Sequence, residues 1–431
     1  MITAISVCAV TCLLMILAVL FYPKLKIGKV ALGTYWVITL IGAAVLLLFK
    51  IADGKAVLSS LLADTSINPL KILVLFISMT VLSIYLDELG FFRFLAAYAL
   101  KRAGTSQTRL FFILYITVSV LTVFTSNDII ILSFTPFICY FAKNANISPI
   151  PYLSAEFVAA NTWSMALIIG NPTNIYLVTA AGGDFMSYLK IMLLPTLASG
   201  TVAFILLFLL FRKRLSERVC AVNEDVVIKD KFSLWVGIIH LAVCTVVLAI
   251  GSYIGIEMWL VSFASAISLF LWNIGISIFR KSKPQSLVKC LRRAPWELIP
   301  FILSMFVMIE SLRQNGVTDQ LANILGADFV LWKNGISSFF AANLINNIPM
   351  SVLYSSILEN VNSDAAVYAT VVGSNLGACL TPIGALAGIM WVSILKEHKL
   401  KYSYFDFLKT GVTVAIPALL TALLTLQVIL K

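Results

Sequence analysis

Charge is scarce in this chain. Of its 431 residues, 12% are Asp, Glu, Lys or Arg and 60% are hydrophobic, whereas a soluble domain carries about 25% charged residues. A water-soluble chain of this size would need more polar surface, so soluble enzymes, nucleic-acid binders and disordered scaffolds are excluded. Histidine is scarcer still: His240 and His398 are the only two, too few for a His-built metal centre. The seven cysteines are odd in number and form no CxxC pair, so neither a disulfide framework nor a zinc site is expected. The sequence has no Walker loop, no HExxH and no GxSxG. An enzyme is therefore not expected, and neither is a cofactor, and any active process must run on an ion gradient.

What is abundant is apolar sequence in long runs. A bilayer crossing takes about 20 residues. Runs of that kind lie at roughly 2–22, 27–49, 70–90, 151–181, 185–211, 232–251, 256–279, 297–313, 364–395 and 404–430. Two further apolar stretches, 108–142 and 331–360, are interrupted near their middles. Each reads as a re-entrant helical hairpin that enters and leaves on one side. Residues 91–103 read as a short interfacial amphipathic helix. The first run has no basic segment before it and reads as a retained span rather than a cleaved signal. The expected fold is an all-α polytopic membrane protein of about ten transmembrane helices plus two re-entrant hairpins.

Lys and Arg set the orientation. With residues 23–29 inside, 24 of the 31 basic residues fall on inner loops. They group as Lys24 to Lys29, Arg93 to Lys143, Arg212 to Lys231, Arg280 to Arg293, and Lys396 to Lys409. The remaining seven, Lys50, Lys55, Lys71, Lys190, Arg313, Lys333 and Lys431, lie outside or near that end of a span. The formal charge of +11 is thus mostly a positive-inside signature and not a nucleic-acid footprint. The expectation is a multi-pass protein of the plasma membrane with both termini outside.

The two halves resemble each other. VAANTWSMALIIG (158–170) aligns with VGSNLGACLTPIG (372–384) at an offset of 214, with Val158/Val372, Asn161/Asn375, Ile169/Ile383 and Gly170/Gly384 identical. Residues 1–212 read as one repeat and 232–431 as the other, joined by a charged inner linker at 213–231. Five crossings per half turn the second repeat upside down. Inverted repeats with paired broken helices mark secondary transporters.

The chemistry belongs at four interruptions. The first hairpin turns at Thr125-Ser126-Asn127-Asp128, and the first broken span (151–181) opens at Gly170-Asn171-Pro172-Thr173-Asn174. The second hairpin turns at Asn346-Asn347-Ile348-Pro349. The second broken span (364–395) opens around Ser374-Asn375 and Thr381-Pro382-Ile383-Gly384. Non-helical backbone at membrane depth survives only where protein or trapped water satisfies it, so the four should converge on one substrate or ion site. Pro172, Pro349 and Pro382 suit the first position of a restarting half-helix. Asn171 and Thr381, with Asn127 or Asp128 in the hairpin, are the expected caps. Helix N-termini pointing inward would hold an anion or an oxygen-rich ligand, and Asn, Ser and Thr oxygens a cation beside it.

Asp128 is the sharpest single residue. A carboxylate at depth costs about 2.5–3.5 kcal/mol on the insertion scale, and it would bind Na⁺ or carry a proton. Na⁺ would sit near Asn127, Asp128 and Asn347. Glu156 reads as lying about one turn into its span, near headgroup water. Glu310 and Arg313 read as an i, i+3 ion pair, His240 as a helix–helix hydrogen bond, and Cys379 as small-residue packing. Gly373 with Gly377, and Gly384 with Gly388, have the spacing of close helix packing, which needs no dimer; a homodimer stays open.

The segments SNDIIILSFTPF (126–137), AEFVAANTWSMALIIGNPTNIYL (155–177), NNIPMSVL (346–353) and GSNLGACLTPIGALAGIMW (373–391) resemble the ion transporter superfamily. Within it they are most similar to the ArsB/NhaD-type permeases with a citrate-transporter-like domain. The resemblance implies a scaffold and a moving transport domain working as an elevator. It also implies that the hairpin tips and broken-helix loops hold substrate and coupling ion, H⁺ or Na⁺. The leading expectation is a secondary transporter of a small anion or neutral oxyacid, of arsenite or antimonite type. The alternatives are a citrate or dicarboxylate carrier and a Na⁺/H⁺ antiporter; a passive channel fits the repeats poorly. Expected partners are the substrate, the lipid bilayer and no nucleic acid.

Overall fold

The computed structural model describes every residue except 23, 28–29, 65–67, 217–226, 252–254, 282, 327 and 401. Most of the expected linker at 213–231, with Arg218 and Cys220, thus lies outside the described residues, as do Lys29 and Lys401. The described chain is almost entirely helical. Among the described residues, eight helical segments are long and apolar enough to cross a membrane.

The single-helix spans lie where the apolar runs place them: Ile2–Phe21, Pro69–Glu88, Phe185–Leu215, Lys231–Gly251, Met258–Phe279, Leu298–Gln314 and Tyr404–Ile429. Their starts follow local chemistry. The Asn68 carboxamide accepts from the amide of Leu70 at 2.8 Å, and Pro69 fills a position that has no amide to lose. Ser403 and Asp406 form a reciprocal capping box.

The expected span at 27–49 is shorter than its apolar run. Helix forms only over Thr34–Leu48, because Lys24–Ile27 and Val30–Gly33 pair as antiparallel strands. The alternation Lys-Leu-Lys-Ile has the period of a strand, which the apolar count overlooked. Three amphipathic helices, Gly54–Leu62, Gln285–Arg293 and Val317–Gly326, were likewise not read from the sequence.

Both interrupted stretches are helix–break–helix pairs. The first is Gln107–Phe124 and Asn127–Asn144, the second Val330–Ile345 and Asn347–Val361. The two broken spans are Ile150–Trp163 followed by Pro172–Ala180, and Asp364–Gly377 followed by Leu386–Glu397. Helix packing sorts the chain into two groups. The helices beginning at Ile2, Thr34, Pro69, Lys231, Met258 and Leu298 pack mainly on one another. The hairpins, the broken spans and the helices from Phe185 and Tyr404 form the other group.

The bland readings of several residues hold. Arg313 lies 3.6 Å from Glu310. His240 bonds across to Ser268 Oγ at 3.1 Å, and Cys379 is buried. A Cβ at Gly377 would stand 2.6 Å from the Phe339 carbonyl, so the glycine spacing serves packing within the chain.

Candidate functional site

The first broken span opens through two short 3₁₀ turns, Ser164–Ala166 and Ile168–Gly170. Gly170 lies so close to the Ser164 carbonyl that no Cβ fits there. Asn171 then caps the next helix, accepting from the Thr173 amide at 3.2 Å, with Pro172 in the first turn as the sequence suggested.

The second break is built differently. Its helix restarts only at Leu386, with no side-chain cap. Neither Thr381 as a cap nor Pro382 as a first helical residue therefore holds. The Thr381 hydroxyl instead donates to Asn343 Oδ1 at 2.6 Å. Asn343 in turn donates to the Gly377 carbonyl at 2.9 Å, so the loop is tied to the second hairpin and not capped from within.

The hairpin tips dock on the broken spans. In the first, Ser126 is the cap, accepting from the Ile129 amide, while Asn127 and Asp128 already lie in the helix. Asn127 Nδ2 donates to Asn161 Oδ1 at 3.1 Å. In the second, Asn346 caps with a positive φ of 72° and an extended ψ of 151°, and its Nδ2 donates to the Ile383 carbonyl at 2.9 Å. The Asn347 amide donates to the Gly384 carbonyl at 3.0 Å. Pro349 sits within the first turn of that arm, where a missing amide is tolerated, though not at its first position.

One residue joins the two halves. Asn375, fully buried, comes from the second broken span and sits inside the first break. Its Oδ1 accepts from Ser164 Oγ and from Asn171 Nδ2, both at 2.8 Å. Its Nδ2 donates to Asn174 Oδ1 at 2.6 Å and to the Val371 carbonyl at 2.8 Å. Asn174 closes the loop by donating to the Ser164 carbonyl at 2.8 Å. Ser164 and Asn343 were missed as network members. Their spacing, one helical turn from Asn161 and Asn346, was the available signal.

The network leaves buried polar atoms unused. Thr162 Oγ1, Thr173 Oγ1, Asn347 Oδ1 and Ser374 Oγ have no hydrogen-bond partner. Buried polar groups are nearly always bonded, so these four mark where a polar ligand or water belongs. All are neutral. Asp128 stands apart: it is partly exposed, and it lies within electrostatic reach of Tyr35, whose hydroxyl donates to Glu297 Oε2 at 3.1 Å. A cavity of about 250 Å³ reaches the second break, lined by Pro382 and Ile383 together with Lys396, Ser403 and Tyr404.

A family profile described as citrate transporter (CitMHS) matches residues 33–371. The chain belongs to that family. It is a multi-pass membrane transporter of the ion transporter superfamily, of the ArsB/NhaD permease type. Relatives of similar length agree. An arsenical pump membrane protein of Escherichia coli K12 is 29% identical over 378 residues, covering 81% of this chain and 84% of that one. A putative arsenical pump membrane protein of Bacillus subtilis is 26% identical over 386 residues, covering 82% and 85%. A 46 kDa membrane protein of Mycobacterium leprae is 27% identical over 400 residues, covering 88% and 90%. The fold is similar to the crystal structure of the YdaH transporter of Alcanivorax borkumensis, with a TM-score of 0.56 at 14% identity over 97% of this chain and 96% of that one.

Proposed function

We propose that this family member is a secondary active transporter of a small oxyacid or oxyanion of the arsenite or antimonite type, coupled to an ion gradient. The observation that carries the reading is the site's chemistry. The two breaks meet through Asn375, and the atoms left unbonded around them are hydroxyls and an amide oxygen, with no Lys or Arg in the network. Such a cradle suits a ligand that both donates and accepts hydrogen bonds and carries little charge, as a neutral trihydroxy acid does. A polyanion would need cations for its desolvated charge.

The relatives named as arsenical pump proteins support the same substrate class. A citrate-type carrier is the second reading, favoured by the description of the matching family profile. A Na⁺/H⁺ antiporter built on Asp128 is the third. The packing into two groups supports an elevator-like movement of hairpins and broken spans along the remaining helices, with the repeats of 1–212 and 232–431 contributing one break each. Uptake into proteoliposomes tests the reading, with arsenite, antimonite, citrate, succinate, phosphate and Na⁺ offered under imposed H⁺ or Na⁺ gradients. Saturable arsenite counterflow is expected. Citrate transport without arsenite transport would replace the first reading by the second.

A further inference from the structure

One ionisable group is more enclosed than the sequence suggested and takes no part in the network above. Glu156 is fully buried inside the protein, shut off from the headgroup water expected to reach it. It sits in the helix Ile150–Trp163, and its Oε1 accepts from Thr135 Oγ1 of the first hairpin at 2.8 Å. Its Oε2 has no hydrogen-bond partner. The indole N–H of Trp391, on the far half of the second broken span, faces the same carboxyl without completing a hydrogen bond, and it too is buried.

The other titratable group facing Glu156 is the Cys139 thiol, one turn beyond Thr135. Of the other titratable side chains on the elements packed around this helix, Asp128 lies two turns before Thr135 and towards Tyr35, the Cys379 thiol lies by Thr162, and three tyrosines are engaged elsewhere. Tyr115 donates to the Gly200 carbonyl, Tyr152 to Gln107, and Tyr188 to the Met165 carbonyl. No Lys, Arg or His pairs with Glu156, nor does any other acid lie against it, among the described residues. A buried carboxylate without a cation is costly, and taking up a proton removes the cost.

Trp391, Tyr402 and Phe407 pack edge to face, with centroids 5.5 Å apart for Trp391–Tyr402 and 5.6 Å for Trp391–Phe407. They line a void of about 10 Å³ together with Ser154, Phe157 and Thr410, room for about one water. Tyr402 and Phe407 also line the 250 Å³ cavity, with Lys396 and Ser403. Trp391 thus stands between Glu156 and a void whose other aromatic walls face that cavity. Ser154, Tyr402 and Thr410 run through the layer as a hydroxyl chain, with contacts of 3.5 and 3.1 Å.

The geometry points to Glu156, held by Thr135 and screened by Trp391, as the site that carries the coupling proton, separate from the Asn375 network. The inference rests on the reading of this protein as a gradient-driven transporter. In the step itself, water on one side of the membrane gives a proton to a Glu156 carboxylate oxygen. The neutral acid crosses with the moving group, and the same O–H bond breaks to water on the other side. One proton moves per cycle, and no other bond changes.

Two measurements test it. The first needs no substrate. Infrared difference spectra of purified protein between acid and alkaline pH should show the carbonyl band of a buried carboxylic acid in the native protein and in D128N, and not in E156Q. Thr135→Val should shift the midpoint of that band. A band that survives E156Q, or that T135V leaves in place, overturns the assignment.

The second measurement uses proteoliposomes and arsenite. With one coupled proton, a gradient of about one pH unit supports about tenfold accumulation, which E156Q should reduce to about one while counterflow stays within about twofold. Tenfold accumulation in E156Q, or loss of its counterflow in a monodisperse protein, overturns the inference. Native protein that fails to exchange arsenite or citrate overturns the substrate reading instead, and the infrared result then decides Glu156 alone.

Discussion

Removing the Asn375 side chain should be among the costliest single truncations at the site. Asn375→Ala deletes four hydrogen bonds, but they do not count equally. Ser164 Oγ keeps its bond to the Asn161 carbonyl, and the Val371 carbonyl remains within a helix. Asn171 Nδ2 and Asn174 Oδ1 lose the only partner each has. A buried group left unsatisfied costs about 1–3 kcal/mol, so the two together cost about 2–6 kcal/mol, a large share of the usual total of about 5–15 kcal/mol. Asn161→Ala is the internal control, since it strands only Asn127 Nδ2 and should cost about half as much. Thermal melting of the purified protein reads both. For a chain this long, a kcal/mol moves Tm by about 1–2 °C, so N375A should melt at least about 2 °C below native and below N161A. A double-mutant cycle of Asn171→Ala with N375A should return a coupling of at least about 1 kcal/mol. Additivity within about 0.5 kcal/mol, or an N161A protein less stable than N375A, would refute the view that Asn375 holds the two breaks together.

Other predictions follow from charge and placement. Cysteines introduced at Asp53 or Asp184, on a cysteine-free background, should react with an impermeant maleimide in intact cells, and one at Gln285 should not; the opposite pattern reverses the proposed orientation. Asp128→Asn should insert and express normally, keep proton-driven accumulation and lose any accumulation driven by an imposed Na⁺ gradient; loss of the proton-driven part would move the coupling proton from Glu156 to Asp128. At the start of the helix Lys231–Gly251, burial pushes the Asp230 carboxyl up, yet the Ser233 hydroxyl and amide and the Arg280 guanidinium hold it below the ordinary carboxylate range. Its stabilising contribution is therefore present above the unfolded value of about 4 and lost as pH falls through the folded one. Arg280→Met should flatten the stability of the protein against pH in that acid range, as melting curves would show; an unchanged slope would remove the pair from the account.

Much of the architecture was readable because long apolar runs and paired polar interruptions are coarse signals that survive without tertiary information. The breaks at Asn171-Pro172 and Asn346-Asn347 needed only composition. What failed was finer. Pro382 was read like Pro172 as a restart residue, but the offset of 214 pairs Pro172 with Leu386, where the helix does restart; the loop at Pro382 is satisfied instead by Asn343, 38 positions away from its partner Thr381, and no local pattern reports such a bond. The strands before Thr34 lost out to an apolar count that ignored period. Glu156 was expected to reach headgroup water because position along a span says nothing about which neighbour covers a side chain; Thr135 and Trp391 cover it. Asn375 was singled out as the counterpart of Asn161, yet its reach into the opposite repeat depends on how the halves dock.

The close approach at Gly373 and Gly377 bears on how the protein opens. A methyl group at Gly373 would run into the Ser338 hydroxyl and the Gly335 carbonyl, and one at Gly377 into the backbone of Phe339. Backbone therefore rests on backbone between the first arm of the second hairpin and the first half of the second broken span. Surfaces in such contact have no side chains to rearrange, so neither can slide or swing without carrying the other. Under the proposed alternating access, the expectation is that this pair travels as a single block, with the bending joints at its ends and not within the arm.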